Sequence, residues 1–168
     1  MEMAAHLLVA QLRFARSEFV RCLEGITEEE GCRRVQSLNS LGWMVGHLAN
    51  QENRYWVMLA QGRKFFPELN DLVGFRKPAS TPSLNEMWSV WKSVTQAADA
   101  YLDTLMPEVL TTHFEWNGKT WDENVGTMLM RNTYHYWFHT GQALTVRKLL
   151  GDTALPEFVG DMSTVAYH

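Results

Sequence analysis

Asn132-Thr133-Tyr134-His135-Tyr136-Trp137-Phe138-His139-Thr140-Gly141-Gln142 is the stretch on which the reading of this chain turns. As a helix it sets His135 and His139 on one face, about 40° of rotation and ~6 Å of rise apart. Both imidazoles can then reach one ion. Arg131, Asn132, His135, His139 and Gln142 form a polar stripe, and Met128, Leu129, Tyr134, Trp137, Phe138 and Leu144 surround it with apolar groups. A buried polar stripe needs partners, because unpaired polar groups are costly there. A metal ion satisfies two imidazoles at once, and helical bundles build such sites from side chains projecting inward from facing helices.

The facing helix is expected near Ser40, where Leu41, Met44, Val45, Leu48, Tyr55 and Leu59 recur at helical spacing. His47 is in phase with Met44, Leu48, Gln51 and Tyr55, which places it on or beside the buried side. His47, His135 and His139 together would give a three-nitrogen metal site with open coordination positions, the layout of a catalytic rather than a structural ion. Asn132, Gln142 and Gln51 are candidates to orient the imidazoles. Chance surface spacing and a hydrogen-bonded core His47 are the plain alternatives for each residue taken singly. His6 and His113 fit neither pattern and are expected in solvent, and His168 is terminal.

Two further helices complete the fold. The first is expected from about Met3 to Leu23, on Leu8, Leu12, Ala15, Phe19 and Leu23. Gly25 and Gly31 bracket a polar connector before the second, which starts at Ser40 and ends by Gly62. Pro67, Gly74, Pro78 and Pro82 break the next stretch, whose length points to a crossover or a lid. Ser83-Leu84-Asn85-Glu86 has capping-box form and opens the third helix, ended by Pro107. Asn117-Gly118 between aromatic residues predicts a tight hairpin. Thr120, with Glu123 three residues on, predicts the cap of a fourth helix running to Leu150, with Gly151 as its stop. The expected class is all-α: an antiparallel four-helix bundle with one small β insert, a single domain over residues 1–168.

Composition excludes several functions. Hydrophobic residues are 46% and charged residues 20% of 168, which is globular. Seven Trp, eight Phe and nine Met leave apolar surface for a pocket or an interface. The net charge of −4 argues against nucleic acid as a partner. No apolar run approaches the roughly 20 residues that span a membrane, and the first residues lack the form of a signal peptide. Cys22 and Cys32 read as reduced thiols of a cytoplasmic protein.

These segments resemble the DinB family, also described as DinB/YfiT-like metalloenzymes. Ser40-Leu41-Gly42-Trp43-Met44-Val45-Gly46-His47-Leu48 is similar to its second-helix segment, in which a tryptophan precedes the ligand histidine. The stretch from Asn132 to Gln142 is similar to its fourth-helix segment, His-x3-His followed by Arg-Gly-Gln, and the Trp116–Thr120 hairpin is similar too. Thr140 departs from the pattern, standing where the family usually has arginine. The resemblance implies up-down-down-up order with a long crossover between the second and third helices. It implies a divalent metal, zinc or nickel, on the three histidines, and a homodimer. Some relatives are transferases or isomerases that use bacillithiol, mycothiol or glutathione.

The leading expectation is therefore a metal-activated low-molecular-weight thiol attacking an electrophilic small-molecule substrate. Trp43, Trp137 and Tyr134 are candidate cleft walls, or plain core. A metal-hydroxide hydrolase is the alternative. It needs a general base, and Glu52, the acid nearest His47 in sequence, points away from the ligand face. A non-catalytic, stress-related binding module is the third reading.

Overall fold

The computed structural model describes residues 6–166. The expected helix start at Met3, the first five residues of the N-terminal stretch read as free of a signal peptide, and His168 lie outside the described residues. Six α-helices and a two-stranded antiparallel sheet make the described chain mostly helical: α1 Leu7–Cys22, α2 Glu28–Cys32, α3 Leu41–Glu52, α4 Leu69–Val73, α5 Leu84–Leu102 and α6 Val125–Leu150, with β1 His113–Trp116 and β2 Lys119–Asn124 before α6. No described helix is long and apolar enough to cross a membrane.

The starts of the helices follow capping chemistry. Ser40 accepts a hydrogen bond from the Trp43 amide at 3.2 Å, and Ser83 accepts one from Glu86 at 3.1 Å. The polar connector after α1 holds α2, begun by a capping box between Thr27 and Glu30. The stretch expected to be a crossover holds α4. Gly151, in the left-handed region at φ 98°, ends α6 as expected.

The expected cap of the last helix at Thr120 is wrong. Asn117 and Gly118 both take positive φ, 51° and 73°, which is the two-residue turn that Asn-Gly favours. The hairpin then zips from Trp116↔Lys119 through Glu115↔Thr120 to His113↔Asn124. Strand pairing therefore claims residues 119–124, and the Thr120 hydroxyl donates to Glu115 instead. Asn124 becomes the cap, its side chain accepting from the Thr127 amide at 2.8 Å.

α1 lies along α6 and α3 along α5, while α3 also meets α6. The core between them contains Leu12, Phe19, Leu41, Met44, Leu48, Leu102, Met128 and Tyr136. Close approach of α3 to the start of α5 depends on Gly42: a Cβ there would stand 2.6 Å from the Pro82 carbonyl oxygen. Beyond Glu52 the helix widens into a π-helical segment, Asn53–Leu59. Such insertions are rare and recur at functional sites, because the extra residue re-aims the side chains around it.

Candidate metal centre

The structure brings His47 of α3 together with His135 and His139 of α6. One ring nitrogen from each lies within 4.8 Å of the others, a grouping that can hold a metal ion. Ring centroids are 4.9 Å apart for His47–His135, 5.2 Å for His47–His139 and 4.6 Å for His135–His139. His139 is deepest, at 3% exposure, and His47 is buried, while His135 is half-buried.

Hydrogen bonds fix which nitrogen is free in two of the three rings. His47 Nδ1 is 2.7 Å from the carbonyl oxygen of Val73, the last residue of α4. A carbonyl only accepts, so Nδ1 carries the proton and Nε2 keeps its lone pair. Trp43, one turn back, stacks on the same ring at 4.3 Å. Trp43 is therefore part of the buried wall behind the site.

For His135 the assignment comes through a chain of three side chains. The indole N–H of Trp56 can only donate, and it donates to Asn132 Oδ1 at 2.8 Å. That fixes the Asn132 amide, whose nitrogen donates to Gln51 Oε1 at 2.9 Å. The same Gln51 oxygen lies 2.8 Å from His135 Nδ1, which must be the donor. His135 Nε2 is thereby left as a bare lone pair, 3.0 Å from His139 Nε2.

His139 Nδ1 is buried with no hydrogen-bond partner among the described residues. Gln142, one turn on, favours the charged ring but is outweighed by burial and by the two neighbouring imidazoles. This donor set fits a divalent cation. Three imidazoles are held neutral, two with the distal nitrogen tied to an oxygen, as is usual for metal-ligating histidine.

Electrostatics point the same way. Burial lowers the pKa of His47, takes His135 to about 4 with help from His47, and takes His139 to about 2 with help from both neighbours. Metal binding needs the neutral ring. The linkage has a definite sign: each ring binds its proton less well folded than unfolded, so the unfolded chain takes up more protons below pH ~6.5. Metal-free protein is expected to keep its full stability at neutral pH and lose it as pH falls from ~6.5 toward the lowered folded-state values. Melting temperatures in chelator across this range measure it. A flat profile would mean the rings are solvated.

His47 and His135 open onto a cleft of about 590 Å³ also lined by Gln51, Arg54, Tyr55, Phe75, Arg131 and Tyr134. His139 lies behind them. Arg131, expected in the buried stripe, is exposed at the cleft and paired with Glu123. Tyr134 lines the cleft as one of the expected walls, whereas Trp137 packs against Phe14 of α1 at 6.1 Å. Thr140 is buried, and its hydroxyl bonds the Tyr136 carbonyl at 2.9 Å. Glu52 is wholly buried and bound to Arg16, outside the cleft lining. Of the outlying histidines, His113 is exposed as expected, while His6 is half-buried and caps α1 by accepting from the Leu8 amide at 3.2 Å.

Sequence reasoning found the three histidines, Gln51 and Asn132, and missed Val73, Trp56, Arg54 and Phe75. Leu69 and Val73, four apart between Pro67 and Gly74, were the available signal for α4. Substituting Gln51→Leu removes the oxygen that orients His135. The expected result is a 10- to 100-fold weaker metal affinity, roughly what loss of an orienting partner costs, read by competition with a chromogenic chelator. An unchanged affinity would show that the Gln51 contact does not set the ring.

A search of curated proteins returns no match. Residues 7–151, which include both histidine-bearing helices and the hairpin, match the sequence model of the family described as Mycothiol-S-transferase. That match covers most of the chain and bears out the resemblance to DinB-like proteins: the chain belongs to the mycothiol-S-transferase family.

Proposed function

We propose that this protein is a metal-dependent thiol transferase. In this reading His47, His135 and His139 hold a divalent cation, zinc or nickel, and the cleft admits a low-molecular-weight thiol of the mycothiol class together with an electrophilic small molecule. The observation that carries it is the fixed orientation of His47 and His135, whose Nδ1 atoms are both committed to oxygen acceptors beside an open cleft. A cation held there would favour the thiolate, the nucleophilic form of the thiol. The protein's own groups then orient and shield. Trp43 and the buried His139 close the inner side against water, and Arg54 sets positive charge at the mouth, toward an anionic sulfur or leaving group. The sulfur forms its bond to the electrophilic carbon, the leaving group departs with its electron pair, and the thiol proton passes to solvent.

Among the described residues the cleft lining includes no carboxylate to serve as a general base for hydrolysis. The test is transfer from mycothiol, bacillithiol and glutathione to a panel of alkyl and aryl electrophiles by metal-loaded protein. Turnover that vanishes with chelator and returns with metal supports the reading. Absence of turnover with all three thiols, alongside ester or amide hydrolysis, overturns it.

The same proposal takes the chain as one cytoplasmic domain with no nucleic-acid partner. Its four longest helices, α1, α3, α5 and α6, would form an up-down-down-up bundle. It takes the protein as a homodimer, supported by the exposed Met130, Tyr134 and Phe138, which recur every four residues along α6. Sedimentation equilibrium is expected to give twice the chain mass of 19.4 kDa, and Phe138→Glu to restore the monomer. A monomeric wild type removes this element alone.

A further inference from the structure

The three-histidine cleft does not stop at the histidines. A second cavity of about 530 Å³ adjoins it, sharing Tyr55 and Arg131 with the first and running along the hairpin. A smaller hollow between them shares Arg54 with the cleft and both hairpin tryptophans with the second cavity. The result is one groove from the candidate metal centre to the β-ribbon.

The ribbon presents an aromatic face to that groove. Alternation along β2 puts Lys119, Trp121 and Glu123 on one side, and pairing of Trp116 with Lys119 adds a second indole to it. Trp116 is 41% exposed, large for an indole, and Tyr55 meets the half-buried Trp121 edge-on at 6.5 Å. The polar groups between these rings are hydrogen-bonding and nearly charge-balanced. Glu123 and Arg131 pair with each other, and Asp122 stands against Lys119 in net charge. Flat aromatic faces beside paired carboxylate acceptors and guanidinium donors suit a neutral body with many hydroxyl groups. They suit neither an anion nor an aliphatic chain.

We infer that the hairpin groove, with Trp116 and Trp121 as its platform, binds the carbohydrate body of the thiol substrate while the sulfur reaches the three-histidine end. This rests on the thiol-transfer reading, since mycothiol carries its cysteinyl sulfur on such a body. Specificity among thiols is then set on the ribbon, away from the histidines.

The experiment compares mycothiol with N-acetylcysteine, which keeps the reacting end and lacks the carbohydrate, using metal-loaded wild type, Trp116→Ala and Trp121→Phe. Trp116→Ala is expected to raise KM for mycothiol about fivefold to tenfold, the size of one lost stacking contact. Its kcat/KM for N-acetylcysteine, which has no carbohydrate to lie on the indole, is expected to fall less than twofold, and Trp121→Phe, which keeps an aromatic face, to raise KM for mycothiol less than Trp116→Ala does. Equal effects on both thiols, or none on either, overturn the inference. Calorimetric titration with mycothiol reads the groove independently of turnover: a matching rise in Kd for Trp116→Ala supports it, and an equal Kd or no binding by wild type overturns it. Wild type that binds mycothiol with a Trp116-dependent Kd yet transfers neither thiol keeps the groove and overturns only the transferase reading.

Discussion

Protein carrying His135→Ala is expected to emerge without bound metal and without thiol-transfer activity, while keeping its fold. In the proposed site His135 would be a ligand on the cleft side, and without it His47 and His139 remain as two imidazoles on different helices. Losing a partner that merely orients a ligand weakens metal affinity by about 10- to 100-fold, so losing the ligand itself should exceed that. The fold should survive because the gap is small and polar. Gln51 Oε1 loses one donor but still accepts from Asn132, so no buried oxygen is orphaned. The destabilisation of metal-free protein is then roughly that of one hydrogen bond, about 1 kcal/mol. With metal at 1,000 times Kd, wild type gains about 4 kcal/mol from mass action, and the variant should gain almost none. Elemental analysis of untagged protein and paired melts with and without metal check both parts. Stoichiometric metal in the variant, or an equal metal-dependent rise in melting temperature, would end the three-histidine proposal.

The parts of this site legible in the sequence are those with a periodic signal. His135 and His139 share a face because they are four apart, and His47 joins them because it keeps phase with Met44, Leu48 and Gln51. Gln51 and Asn132 follow from the same phase. The parts that could not be read depend on geometry that spacing does not encode. Val73 enters through its backbone carbonyl, which any residue type would supply. Trp56 lies within the π-helical segment, where the turn is wider than 3.6 residues and an α-helical count assigns the wrong face. Thr120 carried a real capping signal, yet local propensity lost to strand pairing seeded by Asn117-Gly118. Phe75 joins the cleft, and the hairpin tryptophans its adjoining hollows, only through the tertiary path of two connectors.

The buried charges tell a different story from the histidines. Glu52 is 0% exposed and Arg16 5%. Arg16 Nε bonds Glu52 Oε1 at 2.8 Å, its terminal nitrogens reach Glu52 Oε2 and Asp99 Oδ1, and Tyr136 donates to Glu52 Oε1 at 2.6 Å. Trp91 in turn donates to the Tyr136 oxygen at 2.7 Å. This network ties α1, α3, α5 and α6 at the point where α3 gives way to its π-helical segment. Burial opposes the Arg16 charge, and the Glu52 carboxylate more than compensates, holding the guanidinium protonated.

Glu52→Gln is expected to destabilise the protein by about 3–5 kcal/mol, because it leaves Arg16 buried with Asp99 as its remaining anionic partner. The urea midpoint should fall at constant slope. Replacing both ends of the pair, Arg16→Met with Glu52→Leu, should recover part of the loss, since a buried pair exchanged for apolar groups is often neutral or stabilising. Recovery should be incomplete because the Tyr136 hydroxyl then lacks its acceptor. A single variant within about 1 kcal/mol of wild type would show that the pair does not clamp the helices. The same variant also separates the two chemistries open to the site. Glu52 is the acid next to Gln51 in sequence, and if it were a general base for hydrolysis, folded Glu52→Gln would be inactive. Its burial behind Arg16 predicts the opposite: thiol transfer per folded molecule, assayed below the lowered melting temperature, should stay close to wild type.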